Sequence, residues 1–153
     1  MDLQTILSKY PPQPQYLIEM LIDVDDTKEQ HYVSEDELRT IAAYVGVRDS
    51  QVYSVMSFYT MLSTTPRGKY VIQVCKDVPC YLNDDFNVLK TIQDELAIGI
   101  GDTTPDQLFS LELTACIGCC DEAPAMRVNH ETYTNLSDEK VRSILESYRS
   151  GLL

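Results

Sequence analysis

The chain has 153 residues, of which 44% are hydrophobic, and its 24 acidic and 12 basic side chains give a net charge of −12. That apolar share supports a packed core and excludes global disorder, and no apolar run approaches the roughly 20 residues needed to cross a bilayer. Residues 1–65 hold 4 basic and 10 acidic side chains and residues 66–153 hold 8 and 14, so each part is −6 and neither carries a basic stripe for nucleic acid or an anionic membrane.

The first ten residues have no basic start and no long apolar stretch, so no secretion signal is expected. This predicts a cytoplasmic protein whose thiols stay reduced, and an odd count of five cysteines also argues against a disulfide framework.

In chain order, Leu3 to Lys9 reads as a short helix stopped by Pro11 and Pro12. Pro14 suits the first turn of a second helix, where Leu17, Met20, Leu21 and Val24 make one apolar face. Asp23, Asp25 and Asp26 fall late in that helix, where the macrodipole disfavours them, so its end is expected to fray. Ser34 to Glu37 is a capping box opening a helix with Leu38, Ile41, Ala42 and Val45 inward, and Gly46 suits its end. Asp49 or Ser50 is expected to cap the next helix, with Val52, Val55, Met56 and Tyr59 on one face. Tyr53, Phe58 and Tyr59 are expected in the core more than on a binding surface, and His31 is expected to be solvated or capping, not a ligand.

Ser63 to Gly68 breaks the helical pattern and is the best boundary, giving a helical bundle over 1–65 and a second domain over 66–153. Lys69 to Cys75 is nearly continuous apolar, as in a central strand covered on both faces. Asn83 is expected to cap a helix with the stripe Val88, Leu89, Ile92 and Leu96, ended by the stretch from Ile98 to Gly101. Phe109 to Ala115 alternates, with Phe109, Leu111 and Leu113 on one face and Ser110, Glu112 and Thr114 on the other. Met126 and Val128 form a short strand, Asn129 to Thr132 a turn, and Ser137 caps a last helix with Val141, Ile144, Leu145 and Tyr148 inward. The order strand, helix, strand, strand, helix is thioredoxin-like in outline, and it sends two cysteine stretches out from neighbouring strand ends.

Those stretches are Cys75 to Cys80, a C-x4-C, and Cys116 to Cys120, a C-x3-C. Cys116 and Cys119 also form a C-x-x-C, but Asp121 to Pro124 follow and then a strand, so no helix is available to activate a redox thiol. Zinc favours two-residue knuckles, which only Cys119 offers, and a zinc-stabilised interaction module stays open as the alternative. Free buried cysteines are the plainest reading, against which stand the neighbouring Asp, Pro and Gly. The favoured reading is an iron–sulfur cluster held by four thiolates, with Pro79 stiffening one loop and Gly118 letting backbone N–H groups face sulfur in the other. No G-x-G-x-x-G is present, so the chain itself is expected to bind neither NADH nor flavin and to carry no catalytic residue.

The sequence resembles the small iron–sulfur subunit of NADH dehydrogenases, with relatives in NAD-linked hydrogenases and formate dehydrogenases. The shared stretches include Tyr10-Pro-Pro12, Ser57-Phe-Tyr-Thr-Met61, Gly68-Lys-Tyr70, Val74-Cys75, Pro79-Cys80, Gly101-Asp-Thr-Thr104, Cys116-Ile-Gly118, Cys120, Ala123-Pro124 and Val128-Asn129. The resemblance implies an α/β chain, an N-terminal bundle of three to four helices before a thioredoxin-like 2Fe-2S ferredoxin domain. It implies Cys75, Cys80, Cys116 and Cys120 as ligands of one 2Fe-2S cluster. It further implies an electron-transfer subunit of a complex such as an NADH dehydrogenase or an electron-bifurcating hydrogenase. The partners are then a flavoprotein subunit binding FMN and NAD(H) and further iron–sulfur subunits. Cys119 stands where that family usually has alanine, Asn83 where glycine is common, and His130 where the strand turn usually has glycine. Asp77, Asp84, Asp121 and Glu122 lie near the cysteines in sequence and are expected to lower the potential of a bound cluster.

Overall fold

A computed structural model describes residues 2–84 and 87–152, and the chain divides into two compact units, 1–67 and 68–153. The first unit holds α1 (Leu3–Leu7), a 3-10 turn at Pro14–Tyr16, α2 (Leu17–Asp26), α3 (Glu35–Val45) and α4 (Asp49–Phe58). The sequence's apolar stripes become its core: Leu17, Met20, Leu21 and Val24 of α2 and Leu38, Ile41, Ala42 and Val45 of α3 are all buried with Ile6, Leu7, Val52 and Met56. α3 starts as expected, with Glu37 reaching back to the Ser34 N–H at 2.8 Å, and ends at Gly46, whose φ of 74° costs least without a Cβ. The Glu37 carboxylate also takes a short ion pair from Lys28. Burial raises its pKa, but the bonds from Lys28 and Ser34 lower it further, and the net shift is downward.

Four expectations for this unit need correction. The residue preceding α4 is Arg48, whose N–H is taken by Gln51 Oε1 at 3.1 Å, so Asp49 is the first helical residue and not the cap. Tyr53 and Phe58 are exposed and not core, because α4 buries only Val52 and Met56. The end of α2 is pinned and not frayed: Thr27 Oγ1 donates to Val24 O, and buried Asp25 receives Arg67 Nη2 at 3.0 and 3.2 Å. His31 belongs to the same network, with Nδ1 3.7 Å from Asp25 Oδ2 and its carbonyl accepting from Arg67 Nε at 2.7 Å. Asp25, Asp26 and His31 each place a ligating atom within 4.8 Å of the others, but the Arg67 guanidinium already neutralises Asp25, so the cluster is an ion-pair network.

The second unit is a four-stranded sheet in the order β2-β1-β3-β4, with β1 (Tyr70–Cys75), β2 (Phe109–Thr114), β3 (Met126–Val128) and β4 (Glu131–Tyr133). β1 runs parallel to β2, pairing Cys75 with Thr114, and antiparallel to β3, which forms a hairpin with β4. A crossover between parallel strands needs a dozen or more residues, and here it holds α5 (Val78–Leu82) and α6 (Val88–Leu96). α7 (Asp138–Arg149) completes the unit, and Ile92, Leu96, Val141, Ile144 and Leu145 are buried with Ile72, Val74, Phe109, Leu111 and Met126 in one core.

Gly68 sits where β1 begins. A Cβ there would lie 2.6 Å from the Phe109 backbone carbon, so the close approach of the two strands requires glycine. β2 does not alternate in burial as expected: Phe109 and Leu111 are buried but Leu113 only half so, and Ser110 and Thr114 of the polar side are buried too; Ser110 Oγ accepts from the Gly68 N–H at 2.7 Å. The hairpin turn is shorter than expected, since Thr132 already lies in β4. The cap of α6 is Asn87, accepting from Lys90 N at 3.1 Å, whereas Asn83 closes α5 through Nδ2 to Pro79 O at 2.7 Å.

Candidate metal centre

One end of the sheet gathers the cysteines. Cys75 is the last residue of β1, held by its N–H to Ala125 O at 3.2 Å, and the next N–H, Lys76, reaches Thr114 O at 3.1 Å. Parallel pairing of β1 and β2 therefore delivers Cys75 and the segment after Thr114 to the same end. The first cysteine stretch is not the open loop expected from the sequence. It winds into α5, whose inner side buries Cys80, with Asp77 preceding the helix and Pro79 in its first turn. That Asp-x-Pro start is a helix-opening signature that was legible in the sequence. The second stretch is a true loop: Gly118 turns it at φ 87° and donates its N–H to Cys116 Sγ at 3.4 Å, and a 3-10 turn follows at Cys120–Glu122. The peptide bond before Pro124 is cis.

All five cysteines are free thiols. Cys116 and Cys120 sulfurs lie 3.4 Å apart, and Cys75 and Cys80 share one small buried cluster with Ala125. The structure thus places two pairs at one end of the sheet, Cys75 and Cys80 buried and Cys116 and Cys120 exposed. Burial, then the Cys75 hydrogen bond, push the Cys80 thiol up to about 11, against a backbone hydrogen bond from Ala125 that lowers it. The Cys120 thiol is also raised, first by its hydrogen bond with Cys116, then by desolvation and by the charges of Cys116, Cys75 and Asp77. Thiols whose ionisation is disfavoured by burial and by one another are stabilised as thiolates by a cationic centre, so the donor set fits an iron–sulfur core.

Cys119 is built differently. It is half-buried against the small apolar cluster of Cys75, Cys80 and Ala125, and its Sγ lies 3.9 Å from Ile117 O. Two of the four nearby acids have other work: both Asp84 oxygens accept from Val88 N at 2.9 and 3.0 Å, and Glu122 accepts from Thr134 Oγ1 at 2.9 Å. Asp77 is the carboxylate whose charge reaches the Cys120 sulfur.

Fold and donor set together define an iron–sulfur ferredoxin on a thioredoxin-like frame. A family model described as thioredoxin-like 2Fe-2S ferredoxin matches residues 3–149. The E subunit of the NADH-quinone oxidoreductase of Rickettsia prowazekii (strain Madrid E) is 34% identical over 146 residues, covering 95% of this chain and 82% of that protein. The mitochondrial NADH dehydrogenase (ubiquinone) flavoprotein 2 of Dictyostelium discoideum is 32% identical over 150 residues, 97% of this chain and 61% of its own length. A solved NAD+-reducing NiFe-hydrogenase in the air-oxidised state superimposes with a TM-score of 0.71 at 19% identity, a likeness of fold. It covers 87% of this chain, which spans only 23% of that hydrogenase chain. The chain belongs to the thioredoxin-like 2Fe-2S ferredoxin family. The cofactor of that family is a 2Fe-2S cluster, and the zinc-stabilised alternative has no support. No helix among the described residues is long and apolar enough to cross a membrane.

Proposed function

We propose that this chain is the electron-transfer subunit of an NAD(H)-linked oxidoreductase complex and that Cys75, Cys80, Cys116 and Cys120 hold its 2Fe-2S cluster. The observation that supports this reading is the placement of both cysteine pairs at one end of the sheet, Cys75 and Cys80 in one buried cluster and Cys116 and Cys120 sulfurs 3.4 Å apart at the surface. A 2Fe-2S cluster, when bound, takes up or releases one electron. The chain's part is to hold and tune it. Cys75 and Cys80 anchor from the protein side, where β1 and α5 fix their backbones. Cys116 and Cys120 present the other edge to the surface, and the Gly118 N–H donates to Cys116 sulfur. Asp77 adds negative charge and lowers the potential.

NADH and FMN are placed on a partner flavoprotein subunit, in keeping with the names of the matched relatives, and further iron–sulfur subunits complete the assembly. No substrate-converting residue is assigned to this chain, and its five free thiols suit a cytoplasmic setting. Metal and acid-labile sulfide analysis of the anaerobically purified protein tests the reading, together with a redox titration followed by electron paramagnetic resonance. About two irons and two sulfides per chain with a single one-electron step are expected; a zinc-loaded, colourless protein contradicts it.

A further inference from the structure

The helical unit holds a surface cavity of about 390 Å3, lined by the first half of α3, the start of α4 and single residues before α3 and after α4. That volume falls within the range of small-molecule sites, roughly 300–1,000 Å3. Val33 and Leu38, both buried in the core, give it apolar walls. Tyr53 lines it too and is 55% exposed, so an aromatic side chain stands at the cavity and not in the core.

The charges around this cavity are one-sided. Glu35, Arg39 and Asp49 line it, and Arg39 is the only basic lining residue among the described residues. The Arg39 guanidinium pairs with Glu35 and stands 4.0 Å from Asp49 and 4.0 Å from Asp36. Three carboxylates share one cation, which leaves two negative charges in surplus. Apolar walls focus such a field and concentrate counter-ions. The ion pairs of Arg39 are solvent-exposed, so each is worth little, and a second cation can take Glu35 and Asp49 while Asp36, which does not line the cavity, still holds Arg39. An anion meets the surplus carboxylates, and a neutral guest gains nothing from them. We infer that this cavity binds a small organic cation, a guanidinium or ammonium group on a short apolar stem. The stem lies against Val33, Leu38 and Tyr53, where the aromatic ring also favours a cation, and the charged head lies between Glu35 and Asp49. A free amine and a basic side chain of a peptide share this chemistry. The inference is independent of the electron-transfer reading.

N-butylguanidinium is the probe, titrated into the isotope-labelled full chain and followed through the methyl resonances of Val33 and Leu38. Saturable shifts at both residues are expected, with affinity falling as salt rises. Butanol and butyrate keep the stem and change the head, and are expected to give no saturable shift. The Glu35→Gln/Asp49→Asn variant, altered only at exposed positions, is expected to bind about tenfold more weakly with its other methyl resonances in place. Tyr53→Ala is expected to weaken binding without changing its salt dependence. Absence of saturable shifts, equal shifts with butanol, or unchanged affinity in the carboxylate variant overturns the assignment. A blocked glycine-arginine-glycine peptide separates the two sources of the cation: tighter binding than butylguanidinium assigns the cavity to a peptide side chain, and equal or weaker binding assigns it to a free cation.

Discussion

The two units bury polar groups in opposite ways. In the helical unit, the buried Asp25 carboxylate and Arg67 guanidinium satisfy each other, with the Met61 and His31 carbonyls taking further guanidinium N–H groups. In the sheet unit, Cys75 and Cys80 are buried in one small cluster with Cys119 packed against it, with no cationic side chain bonded to them among the described residues. The first arrangement is complete within the chain. The second suits a bound group, and on the proposed reading the stability of that end of the sheet depends on metal loading while that of the helices does not.

Loss of the metal breaks the comparison most severely. Chelation under reducing conditions is expected to raise hydrogen exchange around Cys75, α5 and residues 116–125, with α2 and α3 unchanged; equal loss of protection in both units would remove the contrast. Next in size, Arg67→Ala removes the guanidinium that pairs with buried Asp25, leaving only the His31 imidazole at 3.7 Å, and is expected to cost roughly 3–5 kcal/mol in denaturant unfolding, without changing iron content. Smaller again is Glu37→Gln. The Glu37 pKa is lowered in the folded state, so its contribution is fully present above the ordinary carboxylate range and lost as pH falls through the lowered value. The variant is expected to be about 1 kcal/mol less stable near neutral pH and to converge with wild type once pH has fallen below the lowered Glu37 pKa. The smallest effect sharpens the electrostatics of the site: Asp77→Asn is expected to raise the cluster potential, and Asp84→Asn to raise it less, because Asp84 is engaged with α6.

Much of this fold could be read locally. A stripe such as Leu38, Ile41, Ala42 and Val45 carries its helix and its inward face in its own spacing, and Ser34 with Glu37 marks where that helix begins. The parallel β1–β2 pair and its two cysteine stretches followed from element order. What escaped was short or distant. α5 is a five-residue helix, below the length at which periodicity speaks, and its outer face of Val78, Tyr81 and Leu82 blurs the polar contrast that marks a surface helix. Arg67 and Asp25 are 42 residues apart, so nothing near either position announces the pair. Tyr53 and Phe58 looked like core because aromatic residues usually are, and only the packing of α4 reveals which side faces out.

The most direct measurement compares Cys119→Ala with Cys120→Ala by the resonance spectrum of the reduced protein. Cys119→Ala is predicted to retain the 2Fe-2S signal of the wild type, since its thiol packs beside the cage, and Cys120→Ala to lose it. The reverse outcome, or a signal equally intact in both, would contradict the assignment of Cys75, Cys80, Cys116 and Cys120 as the four sulfurs that hold the cluster.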